Sequence, residues 1–104
     1  MGTLAMKVYG EAVLAKFAGR HAAARKPLQR FLEIARGADW PHFPALKQTF
    51  PATDLGRKTG KAIFDIGGNK FRLIAKVSYE KEKVYVLRIL THKEYDTDRW
   101  KGEL

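Results

Sequence analysis

The sequence predicts an α+β domain in which two N-terminal helices pack on one face of an antiparallel β-sheet. Apolar residues recur at helical spacing in the first third of the chain, whereas after residue 60 they alternate with a period of two. The predicted strands also follow one another directly, as in a meander. Since 104 residues suffice for one core, we expect a single domain over residues 1–104, with the second sheet face open to solvent or to a ligand.

The first half of the chain is predicted to be mainly helical. A short strand from Met6 to Tyr9 is followed by a helix from Glu11 to Gly19. A second helix is expected from about Ala22 to Arg36, where Gly37 supplies the C-cap. Residues 1–5 precede a second methionine, and we interpret them as a disordered or non-native leader without a structural role.

The second half is predicted to form the sheet. Residues 38–60 are irregular, with one helical turn from Ala45 to Thr49, and four apolar residues are expected to hold this connection on the core: Trp40, Phe43, Leu46 and Phe50. Three strands follow, over Lys61–Ile66, Phe71–Tyr79 and Lys83–Thr91. Because only the short stretches "GGN" and "EKEK" separate them, we expect neighbouring strands to be antiparallel.

Composition narrows the classes of function. The chain has 20 Lys and Arg against 11 Asp and Glu, and the net charge of +9 favours a polyanionic partner such as nucleic acid or the ribosome. The lack of cysteine suits a reducing cytoplasm, and no apolar run is long enough for a membrane helix. Phosphate-loop, dinucleotide and Ser/His/Asp motifs are missing, and the three histidines lack metal-ligand spacing. We therefore expect neither a metal nor a cofactor.

A row of cations is predicted on the uncovered sheet face. In "NKFRLIAKVSY", Arg72 and Lys76 alternate with apolar residues and fall on one face, about 13 Å apart at strand rise. The strand gains nothing structural from Arg72, which suggests that a ligand uses its charge. Arg88 shares that face if the preceding turn has an odd number of residues, and points at the helices if it has two or four. We favour the first arrangement, because an arginine facing the helices would need a buried partner.

Two further residues add possible chemistry to this face. His92 and Tyr95, in "THKEYD", lie just beyond the last strand. Cleavage of RNA by its own 2′-hydroxyl requires a base, an acid and cations that stabilise the phosphorane. Arg72 suits the last task through its bidentate fork, His92 suits proton transfer near neutral pH, and Tyr95 suits stacking on a base. The residues permit this reaction but do not require it.

Four motifs in this order resemble the HigB family of bacterial toxins, within the RelE-like superfamily. They are "ADW", "LKQTFP", "IFDIGGNKFRLI" and "THKEYD", and the similarity covers about Met6 to Asp96. The resemblance implies a RelE-like fold and a ribosome-dependent endonuclease that cuts translated mRNA in the cytoplasm. It also implies a helix-turn-helix antitoxin of the HigA type. The toxin would then reach operator DNA only through the complex with this antitoxin.

The resemblance also implies roles for particular residues. The family motif N-K-[YF]-R falls on 69–72 and H-x-x-Y-D on 92–96. The catalytic residues implied are Arg72 as phosphate stabiliser and His92 as proton-transfer group, supported by Tyr95 and Lys70. Four residues are expected to bind RNA or the ribosome: Lys61, Asn69, Lys76 and Arg88.

The chain departs from the family pattern at two positions. Lys61 and Ala62 stand where the family usually has Arg or Lys before the strand, and Asp65 stands where it often has Asn. A different rate or substrate preference would be consistent with these changes. Two alternatives to the endonuclease stay open: a RelE-fold toxin with another target, such as DNA gyrase, and a non-catalytic module that binds RNA or the ribosome.

Overall fold

The computed structural model describes residues 6–56 and 59–97. Its nine elements, in chain order, are β1 Lys7–Tyr9, α1 Glu11–Arg20, α2 Arg25–Arg36, α3 Phe43–Thr49, β2 Asp54–Leu55, β3 Ala62–Ile66, β4 Phe71–Ser78, β5 Lys83–Thr91 and α4 His92–Asp96. A single 3₁₀ turn, Ala22–Ala24, precedes α2. The leader predicted over residues 1–5 lies outside the described residues.

The strands form one mixed sheet in the order β1-β5-β4-β3-β2. The meander β2 to β5 pairs antiparallel throughout, as its short connections require. We expected a wholly antiparallel sheet, but β1 is parallel to β5. This strand precedes the helices and has no hairpin to fix its direction, and it fills the free edge beside β5. The predicted α+β class is confirmed.

Helices α1 and α2 cover one face of the sheet. Their apolar faces meet alternate residues of β3, β4 and β5 in one buried cluster, which includes Leu14, Phe31, Phe64, Leu73 and Val84. Phe64 is fully buried, and its ring lies against those of Phe31 and Phe50, with centroids 4.9 and 5.4 Å away. Edge-to-face contacts of this kind add to the free energy gained by burial.

The connection between α2 and β2 is held on this core as expected. Trp40 and Leu46 are buried, and Phe43 and Phe50 pack against the cluster. The Trp40 indole N–H donates to Thr49 Oγ1 over 3.0 Å. The predicted helical turn is present and begins two residues earlier, at Phe43, because the side chain of His42 accepts the backbone N–H of Ala45 and caps it.

The first strand and helix approach β5 closely. Gly10, between β1 and α1, has φ +96°, and a Cβ built there would lie 2.7 Å from the carbonyl oxygen of Val86. Glycine is therefore needed at this corner.

α2, of 12 residues, is the longest helix in the described ranges, and none of these helices is long and apolar enough to span a membrane.

A β-bulge decides which residues of β5 lie on the uncovered face. The turn before β5 comprises residues 79–82, four in number, which by the stated rule would turn Arg88 toward the helices. The register shifts at Ile74/Ala75, where Leu87 is the extra residue on β5, and Ile74 pairs with Arg88. Arg88 therefore shares the face of Arg72. The expected position of Arg88 was correct, but the odd-numbered turn expected together with it was wrong.

Candidate active site

The tight turn between β3 and β4 forms one wall of the site. Ile66 pairs with Phe71, so residues 67–70 make a four-residue turn. Gly67 and Gly68 have φ of +65° and +73°, in the left-handed region that favours glycine. The turn places Asn69 and Lys70 at the end of the sheet where β5 runs into α4.

Several contacts of the site converge on Arg72. Its Nε lies 3.1 Å from Asp65 Oδ1, and Nη1 donates to the carbonyl of Asn69 over 3.3 Å. Nη2 donates to the side-chain oxygen of Asn69. Only 12% of the side chain is exposed. The expectation that Arg72 has no structural use is therefore wrong, because it ties the β3–β4 turn to its strand.

Asp65 was not among the residues predicted for the site. The sequence showed it only as an added negative charge near the turn. Its partner follows from the register, since Asp65 and Arg72 are directly opposed across β3 and β4. The guanidinium thus has a fixed orientation and a neutralising partner before any phosphate binds.

The short helix α4 brings Tyr95 over Arg72. Its start is a capping box, in which Thr91 Oγ1 accepts the N–H of Glu94 and Glu94 Oε1 accepts the N–H of Thr91. The Tyr95 ring packs on a small apolar cluster on the uncovered face, formed by Ile63, Ile74 and Leu90. The Arg72 guanidinium carbon lies 5.3 Å from the centre of this ring.

His92 is fixed at the first position of α4. Its backbone N–H donates to the carbonyl of Lys70 over 3.0 Å, which joins the helix to the β3–β4 turn. Nε2 lies 3.2 Å from Asp96 Oδ2, one helical turn later, and both side chains are about half exposed. With the proton on Nε2 directed at Asp96, the neutral imidazole has Nδ1 as its acceptor atom.

Three of the four residues predicted to bind RNA extend away from this centre, whereas the fourth, Asn69, contacts Arg72 within it. Arg88 lies across from Ile74, and Lys76 is exposed four residues along β4 from Arg72. Lys61 precedes Ala62, which pairs with Ala75, so it lies at the Lys76 end of the sheet. Its ammonium donates to the carbonyl of Thr59 over 3.2 Å. The site therefore has a compact centre and a cationic extension along the uncovered face.

The arrangement is suited to phosphoryl chemistry on an anionic substrate. It offers a held guanidinium, an aromatic ring and a histidine paired with a carboxylate at one end of an uncovered sheet face. In residues 6–56 and 59–97, no three His, Asp or Glu side chains are grouped so as to hold a metal ion. What the geometry supplies directly is charge stabilisation and proton transfer.

Curated relatives match about half of the chain. The "mRNA interferase toxin HigB" of Escherichia coli (strain K12) is 42% identical over 53 residues, which are 50% of this chain and 51% of the relative. The "mRNA interferase HigB" of Shigella flexneri gives the same identity and coverage. The aligned region thus spans about half the length of these relatives.

A family model covers more of the chain. Residues 24–98 match the model described as HigB toxin, the RelE-like toxic component of a toxin–antitoxin system. The matched segment includes α2, the whole meander and α4, and thus every residue predicted for the site. The resemblance seen in the sequence motifs is confirmed, and the chain belongs to the HigB toxin family.

Proposed function

We propose that this protein is a ribosome-dependent endoribonuclease that cuts mRNA by means of the RNA's own 2′-hydroxyl. The observation that carries the proposal is the convergence of three groups on one end of the uncovered face: the Arg72 guanidinium, the Tyr95 ring and the His92–Asp96 pair. The relatives that align with about half of the chain are named as mRNA interferases, which supports the same activity.

The reaction is an internal transfer at phosphorus. The 2′-oxygen attacks the adjacent phosphorus, the bond to the 5′-oxygen breaks, and a cyclic phosphate and a 5′-hydroxyl result. A base takes the proton of the 2′-hydroxyl and an acid gives one to the 5′-oxygen. We assign proton transfer to His92, with Tyr95 as the alternative donor or acceptor and Lys70 as a supporting cation.

Arg72 would stabilise the charge that develops on the phosphorane. Its Nε is already oriented by Asp65, and the side-chain oxygen of Asn69 accepts from Nη2. A phosphate oxygen can replace that neutral acceptor, and the resulting charge-assisted hydrogen bond is the stronger one. Asn69 would thus hold Arg72 ready in the free protein and release it when RNA binds.

The partners follow from the family and from the charge. We propose a cytoplasmic protein neutralised by a helix-turn-helix antitoxin of the HigA type, with operator DNA bound only through their complex. The net charge of +9 suits the ribosome and mRNA. Lys61, Lys76 and Arg88 would contact RNA backbone beyond the scissile phosphate.

Neither of the two alternatives accounts for the site as well. A RelE-fold toxin that poisons gyrase has no use for a histidine and a held guanidinium at one end of the sheet. A module that only binds RNA would need cations, but not the contact between His92 and Asp96 that sets the imidazole tautomer. The endonuclease uses all of these features.

The test is primer extension on a reporter mRNA, with and without translating ribosomes. The wild-type protein should cut only the translated message. Arg72→Ala should reduce cleavage by about 10²- to 10³-fold, the usual effect of removing one transition-state donor. Arg25→Ala, which removes the same charge from the exposed surface of α2, should still cut.

Two results would contradict the proposal. Intact message in every lane, from protein shown to be folded, would exclude the endonuclease. Loss of cleavage in proportion to lost ribosome binding, for Arg72→Ala and Arg25→Ala alike, would favour the module that only binds.

A further inference from the structure

Two tyrosines form a stacked pair on the uncovered face, at the sheet edge that the proposed reaction does not use. Tyr9 of β1 pairs with Tyr85 of β5, and their ring centroids are 5.3 Å apart with planes 18° from parallel. Tyr9 keeps 43% of its surface exposed even in this pair. A parallel pair of rings, open to solvent on an edge strand, presents a flat aromatic surface.

Cations surround the aromatic pair. The Lys83 ammonium lies 5.7 Å from the centre of the Tyr9 ring, Lys7 pairs with Lys83 across the strands, and Lys76 pairs with Tyr85. A depression of about 290 Å³ adjoins Tyr85 and is lined by Lys76, Ser78, Lys81, Tyr85 and Leu87. In the neighbouring turn Glu80 is exposed and Glu82 is half-buried, so four lysines face two carboxylates and the surface stays positive.

The pair is aligned with the candidate active site. Arg72 and Lys76 lie on the same face of β4, and Tyr85 is directly across from Lys76. The aromatic surface therefore lies about 13 Å along the strand direction from Arg72, at the usual rise per residue. Lys76 lies beside the aromatic surface on the side of β4, where it can neutralise backbone phosphate.

We propose that Tyr9 and Tyr85 form a base-stacking subsite for single-stranded mRNA, outside the scissile phosphate. The proposal rests on the function proposed above and names where a flanking nucleotide binds. A stacked base would extend the Tyr9–Tyr85 pair, while Lys76 and Lys83 meet its phosphates. Aromatic stacking is tolerant of sequence, because every base has a π-face, so this subsite adds affinity without fixing a codon.

The subsite can be tested by fluorescence anisotropy with the full chain and a labelled single-stranded RNA. The RNA carries 2′-O-methyl groups, so it cannot be cut. Tyr9→Ala should weaken binding by about 5- to 100-fold, the range expected for the loss of one base stack. Tyr9→Phe keeps the ring and should bind as the wild type does. Ile34→Ala, at an exposed apolar residue of α2, is the matched control and should have no effect.

Salt dependence separates stacking from charge. Tyr9→Ala should leave the slope of log affinity against log salt unchanged, whereas Lys76→Ala should lower it by about one. Circular dichroism and the melting temperature should show that each variant is folded at the assay temperature.

Three outcomes would overturn the subsite. They are wild-type affinity in Tyr9→Ala, equal losses in Tyr9→Ala and Tyr9→Phe, or no binding of this RNA by the wild type. Impaired binding of the antitoxin by Tyr9→Ala, with RNA binding intact, would assign the surface to a protein instead. Primer extension, run in parallel, tests cleavage separately, so the endonuclease could fail while the stacking surface stands, or the reverse.

Discussion

The helix-covered face of the sheet and its uncovered face are made from alternate residues of the same strands, and they differ in what each residue contacts. In β4, Leu73 is fully buried against the helices, whereas its neighbour Arg72 contacts Asp65, Asn69 and Tyr95. Apolar burial on the covered face stabilises the fold, whereas the uncovered face presents charged side chains. The candidate site and the core are therefore neighbours in sequence but depend on different interactions.

The uncovered face has its own small core. Ile63, Ile74 and Leu90 are buried there, with Tyr95 packed against them. This cluster positions α4, and through α4 it positions His92. The separation of the two faces therefore predicts different consequences for substitutions on each face.

The largest effect is expected on the covered face. Phe64→Ala removes a fully buried ring that contacts Phe31 and Phe50, and should lower the free energy of unfolding by about 3–5 kcal/mol. Urea unfolding measures this loss. Leu55→Ala, at a residue of β2 that is 48% exposed, is the control and should change stability by no more than about 0.5 kcal/mol. Equal losses in the two variants would show that the core is not where burial places it.

A substitution at His92 should lower cleavage activity and leave stability unchanged. His92→Gln removes the titrating group, and if His92 transfers the proton, cleavage of translated message should fall by about 10²- to 10⁴-fold. Stability and ribosome co-sedimentation should be unchanged, because the side chain is about half exposed. Lys93→Gln, at the next exposed position, should cut at close to the wild-type rate. A His92→Gln protein with full activity would transfer the role to Tyr95.

The smallest effect is expected at the ion pair beneath the site. Asp65→Asn keeps an oxygen that accepts from Arg72 Nε but removes the neutralising charge. We expect RNA to bind about 3- to 10-fold more tightly at low salt, with a steeper salt dependence, because Arg72 then offers a full charge to phosphate. Anisotropy with the uncleavable RNA measures this gain. Weaker binding would mean that Asp65 acts mainly by orienting Arg72, which an amide does less well.

The sequence predicted the covered face more fully than the uncovered one. Period-two alternation located β3, β4 and β5 because their apolar residues must all reach one core. The contact of Asp65 with Arg72 depends on strand register, which no local pattern fixes. Nothing in the first nine residues indicated that β1 would pair parallel to β5.

The sequence motifs grouped candidate residues of the site, but their contacts could not be predicted. The motifs grouped Asn69, Arg72, His92 and Tyr95, and the structure brings the four to one end of the sheet. The side of Arg88 was predicted correctly from the cost of burying a charge, although the count of turn residues argued the other way. Energetic reasoning about burial was therefore a better guide here than counting residues.

Because of the bulge at Leu87, different features decide which sheet face the side chains occupy in the two halves of β5. The hairpin turn sets which way Lys83 and Tyr85 point, and the bulge sets which way Arg88 and Leu90 point. If Leu87 paired with Ile74 and the bulge were lost, the first half would be preserved and the second inverted, with Leu90 in place of Ile89 in the core. The side-chain orientation of one half of the strand is therefore independent of that of the other half. Sequence drift in the hairpin can alter the distal aromatic surface while the residues that seat α4 and His92 keep their alignment.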